Sequence, residues 1–163
     1  SGSVLANKAY HKSVTLGTEK AWNYKWQPDA SLVDGLRGGT NFNTDSFVAW
    51  NEEPMDVTID LGSQTYSSVT LCILVDKLNY IFAPSSIEVS LSDDGENFDA
   101  VAHLDMVTDK PSDPDGLRKI PISFQESDAR YIRVKAPVLC PIPDWHTGHG
   151  HPAFIFVDEI VVE

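Results

Sequence analysis

Basic residues, cysteine and long apolar runs are all scarce in this chain, and each shortage removes a class of function. Twelve Lys and Arg stand against 24 Asp and Glu in 163 residues, a net charge of −12. Phosphate backbones and anionic headgroups are repelled by such a surface, so nucleic acid and acidic membranes are not expected partners. Two cysteines are too few for a disulfide scaffold. Cys72 sits in the apolar run Val69–Val75 and Cys140 between Leu139 and Pro141, flanks that suit buried, unpaired thiols better than a bridge or a catalytic nucleophile. No apolar run has the length to cross a bilayer, so membrane insertion is not expected. Ser1-Gly2-Ser3 opens the chain without Met or a basic, apolar leader, and the chain reads as a fragment of a larger protein.

What is present describes one globular domain spanning residues 1–163. Hydrophobic residues make up 42% and charged residues 22%, which suits a chain that buries a single core. From Val57 onward the pattern is short alternating runs separated by turn residues, which predicts an all-β sandwich or barrel. Val57, Ile59 and Leu61 alternate with Thr58 and Asp60 and stop at Gly62. Val69–Val75 is apolar on both faces and reads as a central strand. Ile87, Val89 and Leu91 lead into the hairpin turn Ser92-Asp93-Asp94-Gly95-Glu96, and the strand returns from Phe98 to Leu104. Further strands are predicted around Ile120–Phe124, Tyr131–Lys135 and Phe154–Val162. Helix is confined to a turn or two over Pro28–Val33, ended by Gly35. Long connections remain at 76–86, 105–117 and 138–152, and ordered loops of this length on a rigid scaffold are where binding residues collect. The acid-rich segment 105–117 is expected to be a plain solvated loop.

Leu32-Val33-Asp34-Gly35, Trp50, Ile59-Asp60-Leu61-Gly62, Ser90-Leu91-Ser92-Asp93-Asp94-Gly95, Ala129-Arg130-Tyr131-Ile132-Arg133-Val134 and Asp158-Glu159-Ile160-Val161-Val162 follow one another in an order that resembles the discoidin domain, also called the coagulation factor V/VIII type C domain. Its sugar-binding bacterial members form carbohydrate-binding module family thirty-two. No single piece is specific, but the ordered set covers nearly the whole chain. The resemblance implies a jelly-roll β-sandwich with adjacent termini, ligand loops at the far end, and no catalysis by the domain itself. The segment from Pro143 to Ile160 resembles modules appended to bacterial exo-acting glycosidases, hexosaminidases of the chitobiase type among them. Two departures stand out. The stretch between Gly35 and Trp50 is longer than usual, and the terminal cysteine pair of the clotting-factor branch is absent.

Candidate sites follow from residue chemistry placed by that resemblance. Trp22-Asn23-Tyr24-Lys25-Trp26 falls in the first projecting loop, where aromatic rings can cover the C–H face of a sugar while an amide takes its hydroxyls. Trp22 and Tyr24 are expected to be exposed, with Asn23 beside them, and Trp26 to plug the sandwich. Trp50 is assigned to the core, and Asn51 to the rim of the site. Asn79 and Tyr80 are a possible second wall, against the alternative that Ile81 and Phe82 simply cover the sheet edge. Trp145-His146-Thr147-Gly148-His149-Gly150-His151 could be read as a zinc site, yet no fourth ligand or acid-base partner is marked nearby. Trp145 and His146 are therefore retained as sugar contacts, with a solvated loop as the alternative, and Trp22 and Tyr24 are expected to face the same cleft as Tyr80 and Trp145. By resemblance, a structural calcium ion would tie an early loop to the last strand through Asp34, Thr40 and Glu159, hard oxygen donors of the type calcium takes.

The expected function is a non-catalytic carbohydrate-binding module, a monomer joined to a catalytic domain and working outside a bacterial cell, in the periplasm or at its surface. Adhesion or protein–protein contact is the alternative, because exposed Trp and Tyr serve equally as interface anchors.

Overall fold

Alternating burial in the second half of the chain is resolved by two stacked antiparallel sheets. The computed structural model describes residues 6–44 and 46–163. Among the described residues nine strands are formed: β1 (Ser13–Leu16), β2 (Val48–Trp50), β3 (Met55–Asp60), β4 (Tyr66–Val75), β5 (Ser86–Ser92), β6 (Asp99–Asp105), β7 (Gly116–Ser127), β8 (Tyr131–Ala136) and β9 (Ile155–Val162). One sheet has the order β1-β3-β8-β5-β6 and the other β2-β9-β4-β7, giving a jelly-roll sandwich. Three short 3-10 turns, at Trp22–Tyr24, Asp29–Val33 and Lys77–Asn79, are the helical segments among the described residues. The core between the sheets is aliphatic, built from Val57, Ile59, Leu71, Ile73, Val89, Val134 and Val157, with Trp50 fully buried in it.

β1 and β2 have no counterpart in the sequence reading. β2 is three residues buried on both faces, so it shows no alternation, and β1 is a four-residue edge strand. Cys72 is buried and free as expected, whereas Cys140 is free but exposed, on a loop whose apolar neighbours pack beneath it.

Register places the two ends of the sandwich. Lys8 N donates to Val162 O at 2.9 Å and Ser67 N to Glu163 O at 2.8 Å, so both described chain ends lie where β4 begins. At about 3.3 Å per residue, β4 carries Val75 roughly 30 Å away. There Trp50 pairs with Ile155, Val75 with Gly116 and Met55 with Ala136. The loops 17–28, 51–54, 76–85, 106–115 and 137–154 therefore all emerge at that far end.

β9 carries one irregularity that matters. Its pairing with β4 jumps from Cys72↔Glu159 to Ile73↔Val157, leaving Asp158 as the extra residue of a bulge. A bulge re-aims side chains that strict alternation would send to opposite faces, and both Asp158 and Glu159 reach the loop that follows the 29–33 turn.

Candidate functional site

The loop holding Trp22 is fastened by hydrogen bonds to residues 49–54. Ala21 N donates to Ala49 O at 2.8 Å, Glu19 N to a Glu53 carboxylate oxygen at 2.6 Å, and Thr18 Oγ1 to Pro54 O at 2.6 Å. Lys20 closes it from below, with Nζ 2.8 Å from Asp29 and donating to the Gln27 carbonyl at 3.0 Å. Between this loop and the 51–54 turn lies a cleft of about 630 Å³ lined by Trp22, Lys25, Glu19, Glu52 and Glu53. Trp22 is 71% exposed.

Tyr24 corrects the sequence expectation. Its ring centroid is 5.0 Å from Phe156 and 5.7 Å from Phe154, so it is a half-buried plug, and burial raises its phenol pKa. Trp26, expected in the core, is 58% exposed and tilts over Tyr24 at 5.6 Å. Within the 3-10 turn Trp22–Tyr24 there are three residues per turn, so Trp22 and Tyr24 point about 120° from one another, one to solvent and one inward. Asn23 is half-buried and its Oδ1 has no hydrogen-bond partner. Asn51 spends its amide on the carbonyls of Pro152 (3.2 Å) and Ala153 (3.1 Å), so it ties two loops together.

A second aromatic group forms across the same end. His146 sits among Tyr80, Phe82 and Trp145 at centroid distances of 5.1, 5.6 and 5.7 Å. It is 7% exposed, accepts Gly148 N–H at Nδ1 (2.8 Å) and donates from Nε2 to the Lys77 carbonyl. Both ring nitrogens are thus occupied, and His146 supports the wall without offering it a polar contact. Trp145 is 41% exposed beside it. Asn79 is exposed, with its amide on the Asp76 carboxylate at 2.8 Å. Trp22 and Trp145 share the loop end, but the Trp22 cleft is lined by neither Tyr80 nor Trp145, contrary to the expected single cleft.

Gly148 exists for this wall. A Cβ there would stand 2.5 Å from Cζ of Tyr80, so Gly148→Ala is expected to displace the ring. Overpacking of this kind costs about 1 kcal/mol or more. A melting temperature lowered by roughly 2–4 °C, together with a shifted Tyr80 ring signal by NMR, is the expected result.

Of the three residues offered for a metal, Asp34 and Glu159 lie side by side. Glu159 is fully buried, with Oε2 accepting from Gly35 N (3.0 Å) and Asn7 Nδ2 (2.9 Å) while Oε1 has no partner. Burial pushes its carboxyl up to about 8, and the adjacent Asp34 carboxylate adds to the rise. A buried carboxylate with an orphaned oxygen beside a second carboxylate is a donor set that fits a hard cation. Thr40 is exposed and lines a hollow with Asp76 and Asp115. Asp158 belongs to the same bulge but takes Arg37 Nε and Gly38 N, each at 2.7 Å. Among the described residues no group of three or more His, Cys, Asp or Glu is arranged to hold a metal.

The fold and its site define an all-β sandwich that gathers its exposed tryptophans on loops at one end, away from its described termini. Within that class the chain belongs to the F5/8 type C domain family, whose model matches residues 12–154. No curated protein sequence matches the chain. Solved structures of similar fold include the lectin domain of lectinolysin complexed with Lewis B antigen (20% identity, 97% of this chain and 96% of that one, TM-score 0.64). Others are CpGH89CBM32-5 from Clostridium perfringens in complex with GalNAc-beta-1,3-galactose (19%, 93% and 94%, 0.57) and a fucose binding module from Streptococcus pneumoniae (23%, 97% and 94%, 0.58).

Proposed function

We propose that this domain is a non-catalytic carbohydrate-binding module whose site is the loop end, with Trp22 as its principal sugar platform. One observation carries the reading: three of the four tryptophans, Trp22, Trp26 and Trp145, are exposed at the same end of the sandwich. Large aromatics left in water cost apolar hydration with no return from packing, and their clustering marks a ligand surface. The sugars named for the similar structures support the same class of ligand. Lys25, Glu52 and Glu53 around the Trp22 cleft supply donors and acceptors for hydroxyl groups.

In this reading the module is a monomer that tethers an attached glycoside hydrolase, of the chitobiase-like hexosaminidase type, to glycans outside a bacterial cell. Affinity is weak because an open cleft buries little of a sugar, and tethering supplies the effective concentration. A calcium ion held by Asp34 and Glu159 with loop carbonyls would fasten the early loop to β9.

A glycan array probed with the purified domain tests the reading. Binding to one family of terminal sugars is expected. No sugar response combined with capture of a single protein partner would instead make it an adhesion domain, and glycoside hydrolysis by the domain alone would make it an enzyme.

A further inference from the structure

Lys77 invites a direct role, since it is a cation on a loop at the ligand end, but its surroundings rule one out. The residue is 7% exposed. Its Nζ lies 2.6 Å from Asp115 Oδ1 and 3.6 Å from Asp109 Oδ2, and donates to the Asp113 carbonyl. An ammonium group has three N–H donors. Two of them are spent on the Asp113 carbonyl and Asp115, and the ion pair with Asp109 turns the buried group further toward the 106–115 loop and away from a ligand.

That loop is therefore not the plain solvated connection its composition suggests. Asp109 is gripped by Arg118 through two hydrogen bonds of 2.9 and 2.6 Å, and its side chain is 9% exposed. Burial alone would raise the Asp109 carboxyl, but the Arg118 bonds and the two neighbouring cations hold it below its ordinary value. Asp115 also accepts the Lys77 backbone N–H at 3.3 Å, so it holds both ends of the same residue. The turn at Lys77–Asn79 is pinned from the side away from the aromatic wall.

On the wall side the same residue offers its carbonyl. It accepts His146 Nε2–H and, at 3.0 Å, the backbone N–H of Tyr80, which takes the left-handed conformation (φ 66°). His146 in turn backs Trp145, and Tyr80 packs on Gly148. Lys77 thus joins the 106–115 loop to the residues that back Trp145, alongside the direct support of Phe82, whose ring centroid is 6.2 Å from that of Trp145.

We infer that Lys77 is a positioning residue for glycan binding: its ammonium knots the acidic 106–115 loop to the 77–79 turn, and its carbonyl thereby holds His146, Tyr80 and Trp145 in the geometry a ligand meets. This rests on the carbohydrate reading of the loop end. Removing the ammonium takes away its bonds to the Asp113 carbonyl and to Asp115, whose side chain is 46% exposed, and leaves Asp109 to Arg118 alone. Because the ammonium itself is buried, its loss is more disruptive than removal of a surface charge. The turn should then loosen although its own backbone is unchanged.

The test pairs a binding readout with a spectroscopic one. Lys77→Met keeps the aliphatic stem, and Asp115→Asn is a milder lesion should the first variant fold poorly. Leu78→Ala, at a side chain 79% exposed on the same turn, is the control. Wild type is expected to show the Nε2–H tautomer of His146 in a long-range ¹⁵N spectrum. Lys77→Met should lose that signature, open Trp145 to acrylamide quenching, and weaken binding of the best array glycan by about fivefold to tenfold; a change of this size is about 1.0–1.4 kcal/mol. Asp115→Asn should do the same to a smaller degree, and Leu78→Ala should do neither. Weakened binding with an unaltered His146 signal would mean that Lys77 touches the sugar, and would overturn the inference. So would an altered signal with wild-type affinity, because the glycan would then be held elsewhere. If wild type binds no glycan, the carbohydrate reading fails by itself, and retention of the His146 signal in Lys77→Met would separately refute the knot.

Discussion

Trp22→Ala is expected to weaken glycan binding by about thirtyfold, roughly 2 kcal/mol, while leaving the melting temperature within a degree or two. The two halves of that result have one cause. Trp22 stands 71% exposed at the mouth of the cleft beside Glu52 and Glu53, so its ring supports no packing that the fold would miss. A sugar laid against the indole exchanges water on both partners for a C–H to ring contact, and Ala offers no surface for it. Titration calorimetry with the best array glycan measures the loss, and thermal denaturation measures the control. Tyr24→Ala should behave in the opposite way, losing stability first, because its ring is wedged among Phe42, Phe154 and Phe156. Wild-type affinity in Trp22→Ala would remove the cleft as the sugar platform and leave the Trp145 wall as the candidate.

Saturating calcium should raise the melting temperature of chelator-treated protein by roughly 5–15 °C at pH 8, and by much less at pH 5. Ligand at 100–1,000 times its Kd stabilises by about 2.7–4.1 kcal/mol, and each kcal/mol is worth roughly 2–4 °C in a domain of this size. The pH dependence follows from Glu159. Its carboxyl is raised from 4.5 to about 8 by burial first, with Asp34 adding to the rise. A raised carboxyl favours the fold fully below the unfolded value of 4.5, and that contribution is lost as pH rises through about 8. Without the ion, stability should therefore decline from pH 5 to pH 8. At pH 5 the ion must displace the Glu159 proton, whereas at pH 8 it meets a carboxylate already poorly accommodated. Glu159→Gln separates the ion from the charge: the variant should lose the calcium response, yet melt above chelated wild type at pH 8. Calcium-independent melting at both pH values would end the proposal.

Much of the sandwich was legible because β-structure writes its burial into the sequence with a period of two. The strands around Val57–Leu61, Val69–Val75 and Ile87–Leu91 appear where alternation or a doubly apolar run places them. Gly62 and Gly95 mark turns for a physical reason, since both take positive φ (68° and 78°). The short strands β1 and β2, of four and three residues, escaped. β2 is buried on both faces, and the 105–117 loop looked solvated because its acids gave no hint that Lys77 and Arg118 would fold beneath them.

The candidate site was legible as a set of loops but not as a set of directions. Trp22 and Trp145 emerged exposed. Tyr24 and Trp26 exchanged their expected places, and His146 turned inward. Asp158 and Glu159 are adjacent in sequence, and simple alternation would put them on opposite faces. Only the bulge in β9 lets both hold the loop at residues 35–38, and no local signal marks that bulge.

Composition and periodicity by themselves determined an acidic all-β sandwich with its aromatics on connecting loops, because charge, alternation and turn chemistry act over a few neighbouring residues. Which ring faces water and which carboxylate meets its partner was decided by tertiary structure alone. Those directions are set by bonds such as Asn51 to Pro152, 101 residues apart, and Gly35 to Glu159, 124 apart. In segments without a repeating backbone, such long-range bonds orient side chains that no local rule constrains.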